Sequence, residues 1–219
     1  MAVEAGASIQ GPDAIAAAAG PACRRIRGQV LGLIGLGRIG IATALRAKAF
    51  GFKIVFFDPQ VKDGMDKAIG GIERADSLAD LLARSDCVSM HANATADNEK
   101  MINKSTLGMM KRGSFFVNTA RGELVDEEDL AEALTSGHLA GAALDVHWGE
   151  PFLKGQGPLG EVPNLLCTPH NAWFSVESRT EMRVLATEAI KRVMDGQPVR
   201  NCVNKAHLVQ PHRAPVGDD

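Results

Sequence analysis

The 219-residue sequence predicts an α/β protein built on a doubly wound parallel sheet. Between residues 30 and 169, short apolar runs of strand length alternate with segments of helical periodicity. The apolar runs are nearly continuous, which is typical of parallel strands covered on both faces. A glycine-rich turn joins the first strand to the first helix. Together these observations favour repeated strand–helix–strand units over an all-β or an all-helical fold.

Local signals define the elements in chain order. Strands are predicted at 30–35, 53–58, 86–91, 114–119, 139–146 and 164–169. Helices are predicted at 38–51, 77–85, 104–113 and 126–137. Ser77 and Asp126 stand where N-caps are expected, and Gly51 and Gly137 stand where helices end. Three of the four predicted helices therefore have a physical start or stop signal.

The pattern divides the chain into four regions. They are a linker with a short helix at 1–27, the main α/β domain at 28–169, a segment with a long helix at 170–204, and a tail at 205–219. The tail is polar and contains proline, so we expect it to be disordered. The long helix carries apolar residues at helical spacing, which predicts one buried face. These residues are Met182, Leu185, Ala186, Ala189, Ile190 and Val193.

The composition excludes several classes of function. The net charge is −2, and the chain has no basic cluster beyond "CRRIR", which argues against direct nucleic-acid binding. We expect no membrane-spanning segment and no signal peptide. The four cysteines lie far apart without a Cys-x-x-Cys pair, which predicts reduced intracellular thiols and no metal site. The absence of tyrosine excludes dehydrogenases that use a tyrosine hydroxyl as proton donor.

The glycine-rich turn matches the G-x-G-x-x-G pattern of dinucleotide-binding domains. Gly35 permits the tight turn, Gly37 lets the backbone approach a pyrophosphate, and Gly40 lets the helix pack against the sheet. The helix N-terminus offers N–H groups to the phosphates, and Arg38 adds a cationic contact. Asp58 ends the second strand, where a carboxylate accepts both ribose hydroxyls and repels a 2′-phosphate. The sequence therefore predicts a Rossmann-type domain that binds NAD rather than NADP. A tight turn in an unrelated α/β protein is the alternative, and it leaves Asp58 unexplained.

Polar residues at three later strand ends predict chemistry on a 2-oxo acid. Arg121 follows "SFFVNTA", Glu150 lies in the loop after "LDV", and His170 follows "NLLCTP". We expect Arg121 to bind the substrate carboxylate and His170 to protonate the carbonyl oxygen. Glu150 is expected to orient the imidazole and favour its charged form, and Asp145 to help position the nicotinamide. Taken singly, each residue also fits a plainer interpretation as a surface or loop residue.

Longer stretches carry a resemblance to a known family. The segments "GLIGLGRIG", "NTARGELVDEEDLAEAL", "GAALDV…EP" and "CTPH" are similar to those of the D-isomer-specific 2-hydroxyacid dehydrogenases. Within that family, "ALRAKAFGF", "SDCVSMH", "QGPL", "PNLLCTPHNAWFS" and "NCVNK" resemble the C-terminal-binding proteins, which are NAD(H)-sensing transcriptional corepressors. The resemblance covers about residues 10–207.

This resemblance implies a set of functional residues. Arg121, Glu150 and His170 would form a catalytic trio, with His170 as the proton donor. Trp173 resembles a tryptophan that the corepressors place in the substrate pocket. The implied cofactor-binding residues are Gly35, Gly37, Arg38, Ile39, Gly40, Asp58, His91, Ala92, Asn93, Asn98, Thr119, Ala120, Arg121, Asp145, His170 and Trp173.

The resemblance also implies an assembly and a missing part. Relatives dimerise through the cofactor domain, so we expect an NAD(H)-promoted homodimer. Relatives begin with a substrate domain, which in the corepressors carries a groove for short peptide motifs. Here residues 1–28 resemble only the connecting helix, and 175–195 resembles the segment that returns to that domain. We therefore expect a substrate crevice with one wall and weak dehydrogenase activity.

Three functions stay open at this point. The first is a corepressor-like NAD(H)-binding protein, nuclear and cytoplasmic, with transcription-factor partners even though the peptide-groove domain is missing. The second is a metabolic 2-hydroxyacid dehydrogenase. The third is a cofactor-binding dimerisation module that modulates longer partners.

Overall fold

The computed structural model describes residues 24–150, 155–198 and 202, and it contains one seven-stranded parallel sheet. The strands are β1 (Val30–Ile34), β2 (Lys53–Phe57), β3 (Glu73–Arg74), β4 (Cys87–Met90), β5 (Ser114–Asn118), β6 (Leu139–Leu144) and β7 (Leu165–Cys167). They lie in the order β3-β2-β1-β4-β5-β6-β7. The strand order reverses between β1 and β4, which is where doubly wound sheets open a crevice for ligands.

Six α-helices are present among the described residues. They are α1 (Arg38–Ala49), α2 (Met65–Ala68), α3 (Leu78–Arg84), α4 (Lys104–Met109), α5 (Glu127–Thr135) and α6 (Val176–Met194). Two short 3₁₀ turns lie at Ala96–Asn98 and Gly122–Leu124. The predicted α/β class with a parallel sheet is confirmed. The predicted short helix before residue 24 and the tail at 205–219 lie outside the described residues.

Alternating residues of the strands bury both faces of the sheet. Ile54 and Phe56 pack with residues of α1, whereas Val55 between them packs with Leu81 and Leu82 of α3. This alternation follows from the two-residue period of a strand. The apolar cores on the two faces hold β1, β2 and β4 in place, and the glycine turn joins β1 to α1.

The predicted helix signals hold in detail. The Ser77 hydroxyl accepts a hydrogen bond from the Asp80 N–H at 3.1 Å, and Asp126 accepts from the first turn of α5. Gly51 and Gly137 both have positive φ, at 88° and 67°, beyond the ends of α1 and α5. The caps at Ser77 and Asp126 are confirmed.

Two features of the fold differ from the prediction. The short α2 and β3 were not predicted, because segment 59–76 is rich in glycine and charge and gives no clear period. The sheet is also not covered on both faces along its whole width. Phe115 on β5 is 46% exposed and Leu166 on β7 is 63% exposed. Continuous apolar strands indicated burial on both faces, but the apolar side chains at these two positions are exposed.

The chain divides after Ala172 into two compact units, Met1–Ala172 and Trp173–Asp219. The second unit contains α6, which begins with the hydroxyl of Ser175 accepting from the Ser178 N–H at 2.9 Å. The predicted buried face of α6 is wrong for the described chain, since no residue of the helix is buried. Helical spacing identifies an apolar face, but it does not supply the surface that would cover it. Within the described residues, no helix is long and apolar enough to cross a membrane.

Candidate nicotinamide-dinucleotide site

The glycine turn combines two close packing contacts with one open position. Gly35 has φ of +94°, and a Cβ there would lie 2.7 Å from the backbone N of Ala92. A Cβ at Gly40 would lie 2.3 Å from the carbonyl oxygen of Gly35. At Gly37, by contrast, a Cβ would meet no atom within 4 Å. The turn is therefore closely packed at Gly35 and Gly40, whereas the space next to Gly37 is open, as a pyrophosphate requires.

The electrostatics at the N-terminus of α1 favour binding of an anion. Gly37 is its N-cap, no side chain caps it, and its first turn holds no acidic residue. Arg38 and Ile39 open the helix, and both are exposed. The unbonded N–H groups and the helix dipole favour a phosphate at this point. The residues present thus fit an adenine dinucleotide, whose phosphates would rest above Gly37.

Asp58 follows β2 and bonds to the glycine turn. One carboxylate oxygen accepts from the Leu36 N–H at 2.8 Å, and the other accepts from the Gln60 N–H at 2.9 Å. Each oxygen keeps a second lone pair, so the carboxylate can still accept ribose hydroxyls. The role in shaping the turn was not predicted. The ribose contact stays a prediction.

The loop after β4 carries four of the predicted cofactor residues. His91 lies against Ser89, with 3.0 Å between the Ser89 hydroxyl and its Nε2, and burial lowers the pKa of His91 to about 4. The Asn98 side chain donates to the carbonyl of Asn93 at 2.8 Å and so braces the loop. Ala92 packs against the apolar core. His91 is therefore neutral at physiological pH, which suits a pocket wall and not a proton donor.

The turn after β5 is built around a buried amide. Asn118 is fully buried, and its side chain accepts from the Ala120 N–H at 2.9 Å and donates to the Arg121 carbonyl at 2.8 Å. These bonds fix the segment that holds Thr119, Ala120 and Arg121. The Arg121 guanidinium is exposed and donates to the Ala120 carbonyl at 2.6 Å. The sequence analysis missed Asn118, although an amide at a strand end is a known turn former.

Asp145, after β6, holds the turn that carries His170. Its carboxylate accepts from the Thr168 hydroxyl and from the N–H groups of Asn171 and Ala172 at 3.0 and 2.9 Å. Burial of Asp145 opposes ionisation, but the hydrogen bonds outweigh it, so the pKa of Asp145 lies below its ordinary value. The Asp145 carbonyl also accepts from the His170 N–H at 2.8 Å.

Glu150 and His170 form the central contact of the site. The Nδ1 of His170 lies 2.8 Å from Oε2 of Glu150. Burial raises the pKa of Glu150, but the hydrogen bonds from His170 and from the His147 N–H more than offset this, and the net shift is downward. Glu150 is therefore an ionised partner for the imidazole. His170 has a φ of 53°, a left-handed conformation that is uncommon for a residue with a side chain and often occurs at functional sites.

Two further ring side chains lie close to the predicted catalytic residues in the sequence. His147, in the loop after β6, is buried, with 6% of its surface exposed. Trp173 begins the second unit, where its ring lies edge-on to that of Phe174 with the centroids 5.5 Å apart. Its part in a cofactor site stays a prediction. In the described residues, no group of His, Cys, Asp or Glu side chains is arranged to hold a metal ion.

Comparisons with known proteins match this geometry. Residues 8–172 match the model of the D-isomer specific 2-hydroxyacid dehydrogenase NAD-binding domain. The chain is 42% identical over 191 residues to C-terminal-binding protein 1 of Caenorhabditis elegans, covering 85% of this chain and 26% of that protein. It is 40% identical over 183 residues to glyoxylate reductase of Thermofilum pendens, covering 84% of this chain and 53% of that enzyme.

A solved structure agrees with these sequence relatives. The holo form of D-mandelate dehydrogenase from Rhodotorula graminis superposes with a TM-score of 0.74 at 37% identity, covering 80% of this chain and 51% of that one. The chain thus spans about half, or less, of the length of the relatives it matches. The family match covers the glycine turn, Asp58 and the Glu150–His170 pair. The chain therefore belongs to the D-isomer specific 2-hydroxyacid dehydrogenase family, of which it carries the NAD-binding domain.

Proposed function

We propose that this chain binds NAD(H) and, at the same site, serves the interconversion of 2-oxo acids and 2-hydroxy acids. The observation that carries the proposal is the 2.8 Å contact between Glu150 and His170 at the edge of the sheet where dinucleotides bind. A carboxylate–imidazole pair at this edge is suited to proton transfer beside a nicotinamide.

Each residue has a defined task in this proposal. Bound NADH would supply the hydride that reaches the carbonyl carbon of the substrate. His170 gives a proton to the carbonyl oxygen, and we assign this step to Nε2 because Nδ1 is bonded to Glu150. Glu150 keeps the ring in one orientation and balances the charge of the protonated imidazole. Arg121, whose guanidinium is exposed, is the candidate to bind the substrate carboxylate through its planar fork.

Binding and turnover test the proposal separately. NADH binding is measured by energy transfer from tryptophan, and turnover by NADH oxidation with pyruvate or glyoxylate. His170→Gln is expected to lower turnover by about a hundredfold or more, as for loss of a general acid, with a much smaller effect on NADH affinity. His138→Gln is the matched control, because His138 lies after α5 and bonds to the Leu107 carbonyl. Failure of the chain to bind NADH at millimolar concentration would refute the proposal.

A corepressor-like role is the second candidate, and it is supported by the 42% identity to C-terminal-binding protein 1. In that role the chain responds to NAD(H), associates with transcription factors and acts in the nucleus and cytoplasm. When it is fused to a DNA-binding domain, it is expected to repress a reporter gene. His170→Gln should leave repression intact while turnover falls. Turnover by an unmodified chain that does not repress the reporter would point instead to a metabolic dehydrogenase.

We also propose that the chain forms a homodimer that NADH favours. The exposed apolar side chains of Phe115 and Leu166 on one part of the sheet support association, since such a surface is costly in water. Sedimentation velocity with and without NADH tests this. A monomer at every concentration would contradict it and would also remove the dimerisation-module alternative.

A further inference from the structure

Glu150 is oriented by a short backbone strap that crosses the site edge. This strap, residues 145–150, leaves β6 with Asp145 at its start and Glu150 at its end. The His147 N–H in its middle donates to Oε1 of Glu150 at 3.2 Å, while Oε2 faces His170 at 2.8 Å. The position of the His147 backbone therefore decides where the Glu150 carboxylate points.

A second glutamate holds the strap from the other side. Oε1 of Glu127, in the first turn of α5, accepts from the Trp148 N–H at 2.9 Å. The same oxygen lies 3.7 Å from Nδ1 of His147, which is too long for a hydrogen bond. Glu127 has only 16% of its side chain exposed, so little water competes for the bond to Trp148. The strap is thus tied to α5 through its backbone.

Close packing beneath the strap leaves it little room to shift. A Cβ at Gly122 would lie 2.2 Å from the carbonyl carbon and oxygen of His147, and 2.7 Å from the Trp148 N. On the outer side, the ammonium of Lys100 lies 5.5 Å from the centre of the Trp148 ring. The backbone at His147 and Trp148 is therefore held between Gly122 and Glu127.

The His147 ring lies among the same acids as the strap backbone. Burial lowers the pKa of His147, although the carboxylates of Glu127, Glu150 and Asp145 around it act in the opposite direction. The ring is neutral at physiological pH, so Glu127 meets it as a polar group and not as an opposite charge. The hydrogen bond from the Trp148 N–H, at 2.9 Å, is the direct contact between Glu127 and the backbone of the strap.

We propose that Glu127 is a positioning residue for the Glu150–His170 pair, acting by accepting the Trp148 N–H and so fixing the strap that aims Glu150 at His170. The expected effect of Glu127 on turnover rests on the proposed function. The orientation of Glu150 by the strap, however, is a property of the protein without substrate. Loss of the acceptor at Glu127 frees the strap, and the Glu150 carboxylate then samples orientations that do not face the imidazole.

Proton NMR of the ¹⁵N-histidine-labelled chain detects the hydrogen bond between His170 and Glu150 directly. An imidazole N–H bonded to a carboxylate gives a low-field proton signal, and His170→Gln identifies the signal of His170 by its loss. Glu127→Ala is expected to abolish this signal or to speed its exchange at least tenfold. Glu127→Gln is expected to preserve it, because the amide oxygen still accepts from the Trp148 N–H. Glu128→Ala, a carboxylate removed from the same turn, is the matched control and should leave the signal unchanged.

Kinetic and folding measurements complete the test. Glu127→Ala should lower turnover of 2-oxo acids about tenfold with NADH affinity unchanged, since the change lies outside the glycine turn. If Glu127→Ala does not fold, Glu127→Met keeps the length and apolar stem and should lose the signal in the same way. An unchanged signal in the folded alanine or methionine variant would overturn the proposal, and so would loss of the signal in Glu127→Gln. Absence of NADH binding in the unmodified chain would refute the proposed function instead, while the NMR comparison would still decide the positioning.

Discussion

Alanine at Gly37 is expected to weaken cofactor binding with little effect on stability, whereas alanine at Gly40 is expected to destabilise the chain. Both glycines belong to the same turn, so a general weakening of the turn would affect the two variants alike. A Cβ at Gly37 meets no atom within 4 Å, whereas a Cβ at Gly40 would lie 2.3 Å from the Gly35 carbonyl oxygen. The first variant fills the space above the turn, and the second pushes α1 away from it.

The contact distances set the magnitudes. Carbon and oxygen atoms that are not hydrogen-bonded settle at about 3.3 Å, so the Gly40→Ala chain must shift by about 1 Å. Overpacking of this size costs about 1–3 kcal/mol of the free energy of unfolding. Gly37 has an extended backbone, with φ of −76° and ψ of −165°, that alanine also adopts. Gly37→Ala should therefore stay within about 1 kcal/mol of the parent, the expected cost of alanine at an N-cap. The methyl group that this variant adds should block the approach of a pyrophosphate. We expect NADH binding to weaken by at least about 1.4 kcal/mol, which is a loss of about tenfold in affinity.

Thermal unfolding followed by circular dichroism, together with NADH titration, measures both effects. Gly108→Ala in α4 is the control, because a Cβ there also meets no atom within 4 Å and the position lies away from the glycine turn. The reasoning is refuted if Gly37→Ala binds NADH within twofold of the parent chain. It is equally refuted if Gly40→Ala is as stable as Gly37→Ala.

Three further variants test the acids and the amide at the site. Asp145→Asn should destabilise the chain near neutral pH, because the pKa of Asp145 is depressed in the folded chain. The stabilisation by Asp145 is complete above its unfolded pKa of about 3.9 and disappears as the pH falls through the folded pKa. The unfolding curves of parent and variant should therefore converge in acid. Asn118→Ala removes two backbone contacts of the Arg121 turn and should cost about 1–3 kcal/mol in chemical unfolding. Asp58→Asn keeps an acceptor for the glycine turn but loses the negative charge, so stability should change little while the preference for NADH over NADPH in titrations narrows.

The part of the site that follows from strand ends was predictable from sequence. Parallel strands place their carboxyl ends along one edge, so Glu150 and His170 were expected to meet although they lie twenty positions apart, and the structure brings them to 2.8 Å. The glycines were predictable for a similar reason. A phosphate-binding turn between a buried strand and a helix requires glycine at fixed positions. The spacing alone therefore assigns each glycine its role in the tight turn, the approach to the phosphate or the packing of the helix.

The features that the sequence did not predict depend on contacts between distant residues, which no local sequence pattern encodes. The burial of His147 arises from the packing of Gly122 and Glu127 against its strap, and these residues are separated from it by twenty or more positions. The exposed state of α6 could not be read from its apolar spacing, because periodicity gives a face and not a partner. Strand β3 has only two residues, too few for its sequence to show a strand period.

The acids along the site edge act on backbone before they act on any ligand. Asp58 accepts from the glycine turn, Asp145 from the turn that follows β7, and Glu150 and Glu127 from the strap. A buried or half-buried N–H group that loses its acceptor is costly, so each acid contributes to the shape of a loop. Loss of function in an alanine variant at these positions is therefore no proof of contact with cofactor or substrate. Amide variants separate the two roles, because asparagine and glutamine keep an acceptor oxygen while they remove the charge. Where the amide variant restores the activity lost in the alanine variant, the acid serves the backbone; where it does not, the charge itself faces the ligand.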